Sequence, residues 1–214
     1  AAAFVLWPLM GLLGAQGYTP LLGLAALPAL AQLWLAPRLP QLREKLPEID
    51  ISVTALETPP NLKRVPFDLC LFYCDSLPDN GIAFSGDELL PVCTPALAKA
   101  LKQPRDLKEA VCLTDTAWAD DWRIWADEAM PGEGFAPRGP VFSLYALAVE
   151  EALNGAGVLM AHRSLVADQL AAGTLVAPLA AVVPLQRQIC LWTLPASRGK
   201  GAAGQVLQAL RQMG

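Results

Sequence analysis

Charged side chains are missing from the first part of the sequence. Residues 1–37 contain no Asp, Glu, Lys, Arg or His, whereas the whole 214-residue chain has 16 basic and 20 acidic residues. A signal peptide needs a basic residue before its apolar run, and no Lys or Arg precedes Arg38. A membrane helix needs about 20 apolar residues in an unbroken run, and proline and glycine interrupt this one repeatedly. We therefore interpret residues 1–20 as a remnant or an extra element packed on a domain, with both targeting alternatives still open.

Histidine and cysteine are also sparse. His162 is the only histidine, and a zinc site usually needs several His or Cys ligands, so the sequence predicts no metal site. The five cysteines are odd in number and widely scattered, which argues against a disulfide framework and favours a reducing, cytoplasmic location. Cys70 and Cys74 share a face of one predicted strand but lie far apart on it, and no basic cluster would activate either thiol.

Basic patches and catalytic motifs are absent as well. A net charge of −4 and interspersed acidic residues argue against direct nucleic-acid binding by this chain. The sequence has no Gly-x-Ser-x-Gly elbow and no phosphate-binding glycine loop after a strand. We interpret the acidic residues Asp120, Asp121, Glu150 and Glu151 as solvated helix faces. These observations predict neither an enzyme nor a cofactor.

The remaining pattern alternates strands with helices and predicts an α/β fold with mostly parallel sheets. The predicted strands are 21–27, 49–56, 67–73, 87–94, 111–113, 141–142, 158–160 and 189–194, with a turn and strand over 173–179. The predicted helices are 29–46 (interrupted at Pro37 and Pro40), 95–101, a segment through Trp118, Trp122 and Trp125, 143–153, 164–171 and 202–213. Ser143 is expected to cap its helix, Gly155 to end it in a left-handed conformation, and the tryptophan stripe to face the core.

Six segments, in order, resemble the effector domains of LysR-type transcriptional regulators. They begin with Leu33 to Val53 and the strand Phe67-Asp-Leu-Cys-Leu-Phe-Tyr, followed by Glu88-Leu-Leu-Pro-Val-Cys-Thr-Pro-Ala-Leu. The segment Trp122-Arg-Ile-Trp125 is similar to the subgroup of glycine-cleavage activators and β-lactamase regulators. The match is completed by 142–158 and 165–176, so the resemblance spans about 21–213.

The resemblance implies two Rossmann-like lobes joined by two crossover strands, like the type II periplasmic binding proteins. Lobe I would comprise 21–92 and 190–214, and lobe II would comprise 93–189. A small effector would lie in the interlobe cleft, where helix N-termini offer free backbone N–H groups. The residues expected to contact it are Ala26, Leu27, Tyr73, Thr94, Thr114, Thr116, Phe142, Ser143 and His162. At the first strand-to-helix turn, where the family commonly has Ser or Thr, this chain has Ala25 to Ala29, which weakens the case for a small anion.

The resemblance also implies a homodimer or tetramer, with Trp34, Leu35 and Arg38 as candidate interface residues. DNA would be bound only through an N-terminal winged helix-turn-helix, which residues 1–20 do not resemble, so we expect this chain to be part of a longer regulator without a membrane partner. The alternative is a type II solute-binding protein of the periplasm, which would share the fold. The missing basic residue before the apolar leader argues against that alternative.

Overall fold

A computed structural model describes residues 21–194 and 201–213, so the expected role of 1–20 lies outside the described residues. The strands are β1 (Leu21–Ala26), β2 (Asp50–Ala55), β3 (Leu69–Cys74), β4 (Gly81–Val92), β5 (Cys112–Asp115), β6 (Val141–Phe142), β7 (Val158–His162) and β8 (Val183–Thr193). The α-helices are α1 (Leu39–Lys45), α2 (Pro95–Ala98), α3 (Asp121–Ala129), α4 (Tyr145–Leu153), α5 (Ala167–Ala172) and α6 (Ala202–Arg211). Short 3₁₀ turns cover Ala36–Arg38, Pro104–Lys108 and Arg163–Leu165, and a π-helical turn covers Leu30–Leu35.

The eight strands of the described residues form one sheet in the order β2-β1-β3-β8-β4-β7-β5-β6. Strands β2, β1 and β3 are mutually parallel, and so are β7, β5 and β6. The long strands β8 and β4 lie between these two units and are antiparallel to each other and to the strands beside them. The predicted architecture of two α/β units joined by two crossover strands is therefore confirmed. The residue limits of the two lobes stay a prediction.

Both crossover strands begin six residues earlier than the sequence pattern predicts, at Gly81 instead of 87 and at Val183 instead of 189. The pairing of β4 with β8 shifts register between Ala83 and Gly86 and again between Gly86 and Glu88. Such bulges break the alternation of inward and outward side chains on which strand prediction depends. In contrast, the strand expected within 173–179 forms only a single bridge, between Cys93 and Val176.

The first helical segment is interrupted as predicted. A π-helical turn, a 3₁₀ turn and α1 follow one another from Leu30 to Lys45. Pro37 lies in the first turn of the 3₁₀ segment and Pro40 in the first turn of α1, where the missing N–H removes no helical hydrogen bond. At the other end of the fold, Gly155 has a φ of 78° and ends α4 in the left-handed region, which confirms that prediction.

The core is divided among three clusters of buried side chains. The largest packs the first helical segment, α4 and α6 against the sheet. A second cluster surrounds Trp122 and Trp125 of α3, and a small third one contains Cys70 and Phe72. Among the described residues, no helix is both long and apolar enough to cross a membrane.

Candidate effector site

Two helix starts face each other across a narrow cleft between the parallel units. One wall is formed by Pro28 and Ala29, after β1, and the other by Leu144 and Tyr145, after β6. Ligand sites in parallel α/β folds lie at this position, outside the carboxyl ends of the strands. Trp118 also lines the cleft, and the remaining space is about 20 Å³, which is enough for about one water molecule.

The structure brings some of the predicted effector residues to this cleft. Leu27 and Ser143 line it directly, and Ala26, the last residue of β1, is fully buried. Phe142 accepts a backbone hydrogen bond of 2.8 Å from Thr116 and so holds the next loop against β6. Thr114 pairs within the sheet at the same edge.

Thr94 lies elsewhere. Its side chain lies against Gly155, just beyond the end of α4, whereas the cleft is at the start of that helix. A nine-residue helix spans roughly 13 Å, so Thr94 is separated from the cleft by the length of α4.

Ser143 does not cap α4, contrary to the prediction. The backbone stays extended through Leu144, which has φ −136° and ψ 116°, so α4 begins one residue later and no side chain caps it. The exposed Ser143 hydroxyl therefore lies on the cleft wall rather than in a cap.

Tyr73 and His162 belong to a polar cluster beneath Trp118. The His162 ring is fully buried, with Nδ1 3.0 Å from Asp87 and Nε2 2.8 Å from Asp121. The Tyr73 hydroxyl donates a 2.7 Å hydrogen bond to Asp87. Arg187 donates one of 3.0 Å to Asp121. We call these five side chains the buried His–Asp cluster.

The cluster joins five elements of the fold. Its members come from β3, both crossover strands, β7 and the first residue of α3. The Tyr145 hydroxyl accepts a 3.1 Å hydrogen bond from the His162 backbone N–H, and the two rings meet edge to face at a centroid distance of 5.9 Å. The cluster therefore links both crossover strands to β3, β7 and α3 beneath Trp118.

The charges within the cluster stabilise one another. Burial disfavours the His162 imidazolium, but hydrogen bonds and charge from Asp121 and Asp87 outweigh it and raise the pKa of His162. Burial likewise opposes ionisation of Asp87, but His162, Tyr73 and the Ser164 backbone N–H hold the pKa of Asp87 below its usual range. Burial together with the nearby Asp87 raises the pKa of Tyr73, which stays a hydrogen-bond donor.

Asp121 corrects the interpretation of the helix acids as solvated. Asp121 is only 4% exposed, because it lies at the start of α3 and its carboxylate contacts His162. By contrast, Asp120 and Glu150 are exposed. Asp87 and Arg187 were not singled out from the sequence. The only available signal was that His162, a predicted site residue, needs partners when it is buried.

Trp118 packs against the largest core cluster but does not lie on the same helix as Trp122 and Trp125. It precedes α3 and packs on the rings of His162, Tyr145 and Tyr73, at centroid distances of 4.2, 4.8 and 5.8 Å. Trp122 and Trp125 lie in the core as predicted. Helical spacing alone does not show that the helix begins only at Asp121, after Trp118.

The candidate interface residues differ in exposure. Trp34 is 3% exposed and Leu35 is 0% exposed, because both pack into the largest core cluster of this same chain. Of the three candidates, only Arg38 keeps accessible surface. The existence and position of a dimer interface stay a prediction.

Comparison with known proteins identifies the family. The family model described as the LysR substrate binding domain matches residues 15–214. This chain belongs to the LysR substrate-binding domain family. The glycine cleavage system transcriptional activator of Escherichia coli K12 is 30% identical over 73% of this chain and 53% of that protein. The regulator DsdC of the same organism is 33% identical over 71% of this chain and 52% of that protein.

A solved LysR-family structure agrees with the fold. The effector domain of the transcriptional regulator AmpR of Pseudomonas aeruginosa superimposes with a TM-score of 0.68 and 26% identity, covering 92% of this chain and 93% of that one. The predicted family, fold and subgroup resemblance are thus confirmed. The relatives named here are transcriptional regulators, which favours a regulator's effector-binding domain over a periplasmic solute-binding protein. The chain spans about half the length of the curated relatives it matches.

Proposed function

We propose that this LysR-family domain senses a small molecule, without catalysis, for a longer cytoplasmic DNA-binding regulator. The observation that carries the proposal is the cleft between the helix starts at Pro28 and Tyr145 in a fold shared with regulator effector domains. Backbone N–H groups at helix starts and the Ser143 hydroxyl offer hydrogen bonds there.

The charges at the cleft indicate what kind of effector it would accept. Glu57 and Asp115 line it, and no Lys or Arg is among its described lining residues. Burial raises the pKa of Asp115, so a ligand group that neutralises or hydrogen-bonds this carboxylate offsets part of the burial cost. We expect an effector with an ammonium group or several hydrogen-bond donors rather than a small anion.

Binding is expected to change the arrangement of the cleft. The space of about 20 Å³ is too small for an organic molecule, so an effector must displace Trp118 or separate the walls. A ligand that binds only the wider arrangement shifts the population toward it. Trp118 packs on His162 and Tyr73, and both of these side chains bond to Asp87 of β4, so this change would reach a crossover strand.

The regulator's partners follow from the same proposal. DNA contact would come from a separate winged helix-turn-helix, and a second copy of this chain would pair through the first helical segment, in which Arg38 is accessible. Assembly into a dimer or tetramer would carry a change at the cleft to the DNA-binding parts.

The test is a thermal-shift screen of the purified chain against amino acids, polyamines, aromatic acids, sugars and peptidoglycan fragments, followed by calorimetry. A true effector raises the melting temperature with ligand concentration as mass action requires. Ser143→Ala, Thr116→Ala and Asp115→Asn should weaken the effect.

Ser52→Ala is the matched control, because Ser52 is exposed on β2 and lies outside the cleft lining. It should leave the shift unchanged. Absence of a saturable ligand in every class would contradict sensing and favour a ligand-independent dimerisation domain.

A further inference from the structure

A second cavity lies beside the crossover strands and is much larger than the cleft. Its volume is about 330 Å³, within the range of small-molecule sites, whereas the cleft holds about 20 Å³. Its walls come from the first helical segment, from β4 and from the segment between β7 and α5. We call it the crossover cavity. It shares none of the lining residues of the cleft.

One wall of the crossover cavity is aromatic and apolar. The rings of Trp34 and Phe84 pack at a centroid distance of 4.6 Å with a tilt of 60°. Ile189 of β8 adds a buried aliphatic side chain. Surfaces of this kind favour the apolar body of a small ligand.

Arg38 places a positive charge at the same wall. Its guanidinium lies 4.2 Å from the centre of the Trp34 ring, and one terminal nitrogen donates a 2.7 Å hydrogen bond to the Trp34 carbonyl. Its buried Nε has no hydrogen-bond partner among the described residues, and Arg38 forms no ion pair with any of them. Burial lowers the pKa of Arg38, and the charge of Asp168 opposes that effect. The guanidinium is thus oriented, and its other terminal nitrogen, Nη2, makes no hydrogen bond with any described residue.

The acidic side chains at the cavity already have partners. Asp87 accepts hydrogen bonds from the Tyr73 hydroxyl at 2.7 Å and from the Ser164 hydroxyl at 2.8 Å, and pairs with His162 at 3.0 Å. Glu88 pairs with Arg163 at 2.6 Å. These two carboxylates already have local partners, whereas Arg38 forms no ion pair with any described residue and feels only the charge of Asp168.

We propose that the crossover cavity binds a small organic carboxylate with an apolar body, which Arg38 and the Trp34–Phe84 wall recognise together. Arginine suits this task because its planar fork of donors matches a carboxylate. The wall residues come from the first unit, a crossover strand and the segment entering α5, so a bound carboxylate would bridge both units. This site is separate from the cleft and goes beyond the function proposed for it.

The experiment is calorimetric titration of the chain with three carboxylates (phenylacetate, indole-3-acetate and hexanoate) and with phenylacetamide as the neutral analogue. At least one carboxylate should bind saturably with one site per chain. Arg38→Met should weaken that binding about tenfold or more while leaving phenylacetamide unaffected, because charge-assisted hydrogen bonds are lost. Ala167→Phe, at an exposed lining position, should block the cavity to all of them.

Arg43→Met is the matched control, since Arg43 is exposed on α1 and outside the cavity lining. It removes the same charge and should not change affinity. Ser143→Ala should not change it either, which separates this site from the cleft, and melting curves verify that each variant is folded. The proposal is overturned if none of the three carboxylates binds saturably, if Arg43→Met weakens binding as much as Arg38→Met, or if only the Ser143 variant loses it.

Discussion

At the residue scale, the most consequential side chain is His162. It is buried and bridges Asp87 on a crossover strand to Asp121 on α3. Removing one partner of a buried charge network leaves the others without compensation, which costs far more than breaking an exposed ion pair. His162 therefore contributes to the stability of the chain and also supports Trp118, which lines the cleft.

The pH dependence of stability should show the effect of this cluster. The pKa of His162 is raised above 6.5, so its contribution to the free energy of unfolding is complete below pH 6.5 and is lost as pH rises through the folded-state value. The pKa of Asp87 is lowered from 3.8, so its contribution is present above pH 3.8 and is lost as pH falls through its folded-state value. Urea denaturation should therefore show the full contribution of both groups to the free energy of unfolding between pH 3.8 and pH 6.5.

His162→Asn should lower the free energy of unfolding by about 3–5 kcal/mol near pH 6. The difference from the unmodified chain should shrink as pH rises, because the imidazolium charge is lost there. Arg123→Gln is the control, since it breaks exposed pairs with Asp120 and Asp127. It should change stability little and leave the pH profile unaltered. An unchanged profile in His162→Asn would show that another group titrates.

Sequence reasoning identified His162 but not its partners. Asp87 and Asp121 lie 75 and 41 positions away from it, and no local pattern links residues at such separations. Leu27 and Ser143 were accessible to prediction because each belongs to a strand-to-helix turn with its own signature. Trp118 was misinterpreted because it continues the spacing of Trp122 and Trp125 although α3 begins after it.

At the scale of elements, the sequence predicted regular strands better than irregular ones. Strand β3 is an apolar run, and it was found within two residues of its expected start. The bulged start of β4 was missed because its apolar run, Ile82 to Phe84, is only three residues long and lies between Gly81 and Gly86. Its neighbour β8 was shortened for a related reason, since Pro184 and the polar residues that follow do not form an apolar run.

A substitution at Gly157 would test how closely the start of β7 packs on the start of β5. A Cβ there would lie 2.6 Å from the Val111 carbonyl oxygen, which accepts a 2.8 Å hydrogen bond from the Val158 N–H at the start of β7. Gly157→Ala should destabilise the chain by about 1–3 kcal/mol through this overlap, measured by urea denaturation. Gly86→Ala should have a much smaller effect, because a Cβ at that position meets nothing within 4 Å. Equal effects in both variants would contradict the steric explanation.

At the scale of the whole molecule, the two parallel units are not independent. Strands β4 and β8 pair with each other and with one unit on each side, so the sheet is continuous from β2 to β6. A change in the angle between the units must therefore be absorbed by the two crossover strands, beside which the buried His–Asp cluster and the crossover cavity lie.

Unfolding should consequently be a single transition. Far-ultraviolet circular dichroism reports both units, and tryptophan fluorescence reports them through Trp34 in one and Trp122 and Trp125 in the other, with Trp192 on the crossover strand β8. The two signals should give the same midpoint in urea, and calorimetry should give one peak. Two separated transitions would show that the crossover strands do not couple the units.

Self-association can be measured on the same material. Size-exclusion chromatography with light scattering should show at least a dimer, and Arg38→Glu should shift the equilibrium toward monomer if the accessible part of the first helical segment is at the interface. Arg123→Glu, at an exposed position on α3, is the control for the charge change. A strictly monomeric chain at high concentration would contradict pairing through this domain.

The buried cysteines can be used to measure how often the core opens. Cys70, Cys93, Cys112 and Cys190 are buried, and burial raises their pKa values to about 12, 11, 11 and 12. A protonated, enclosed thiol reacts with an alkylating reagent only when the surrounding structure opens. Cys70 lies in the third core cluster, and Cys93 and Cys112 in the second. Mass spectrometry of the alkylated chain would therefore report, without any substitution in the sequence, how often each part of the interior opens and whether a bound ligand slows that opening.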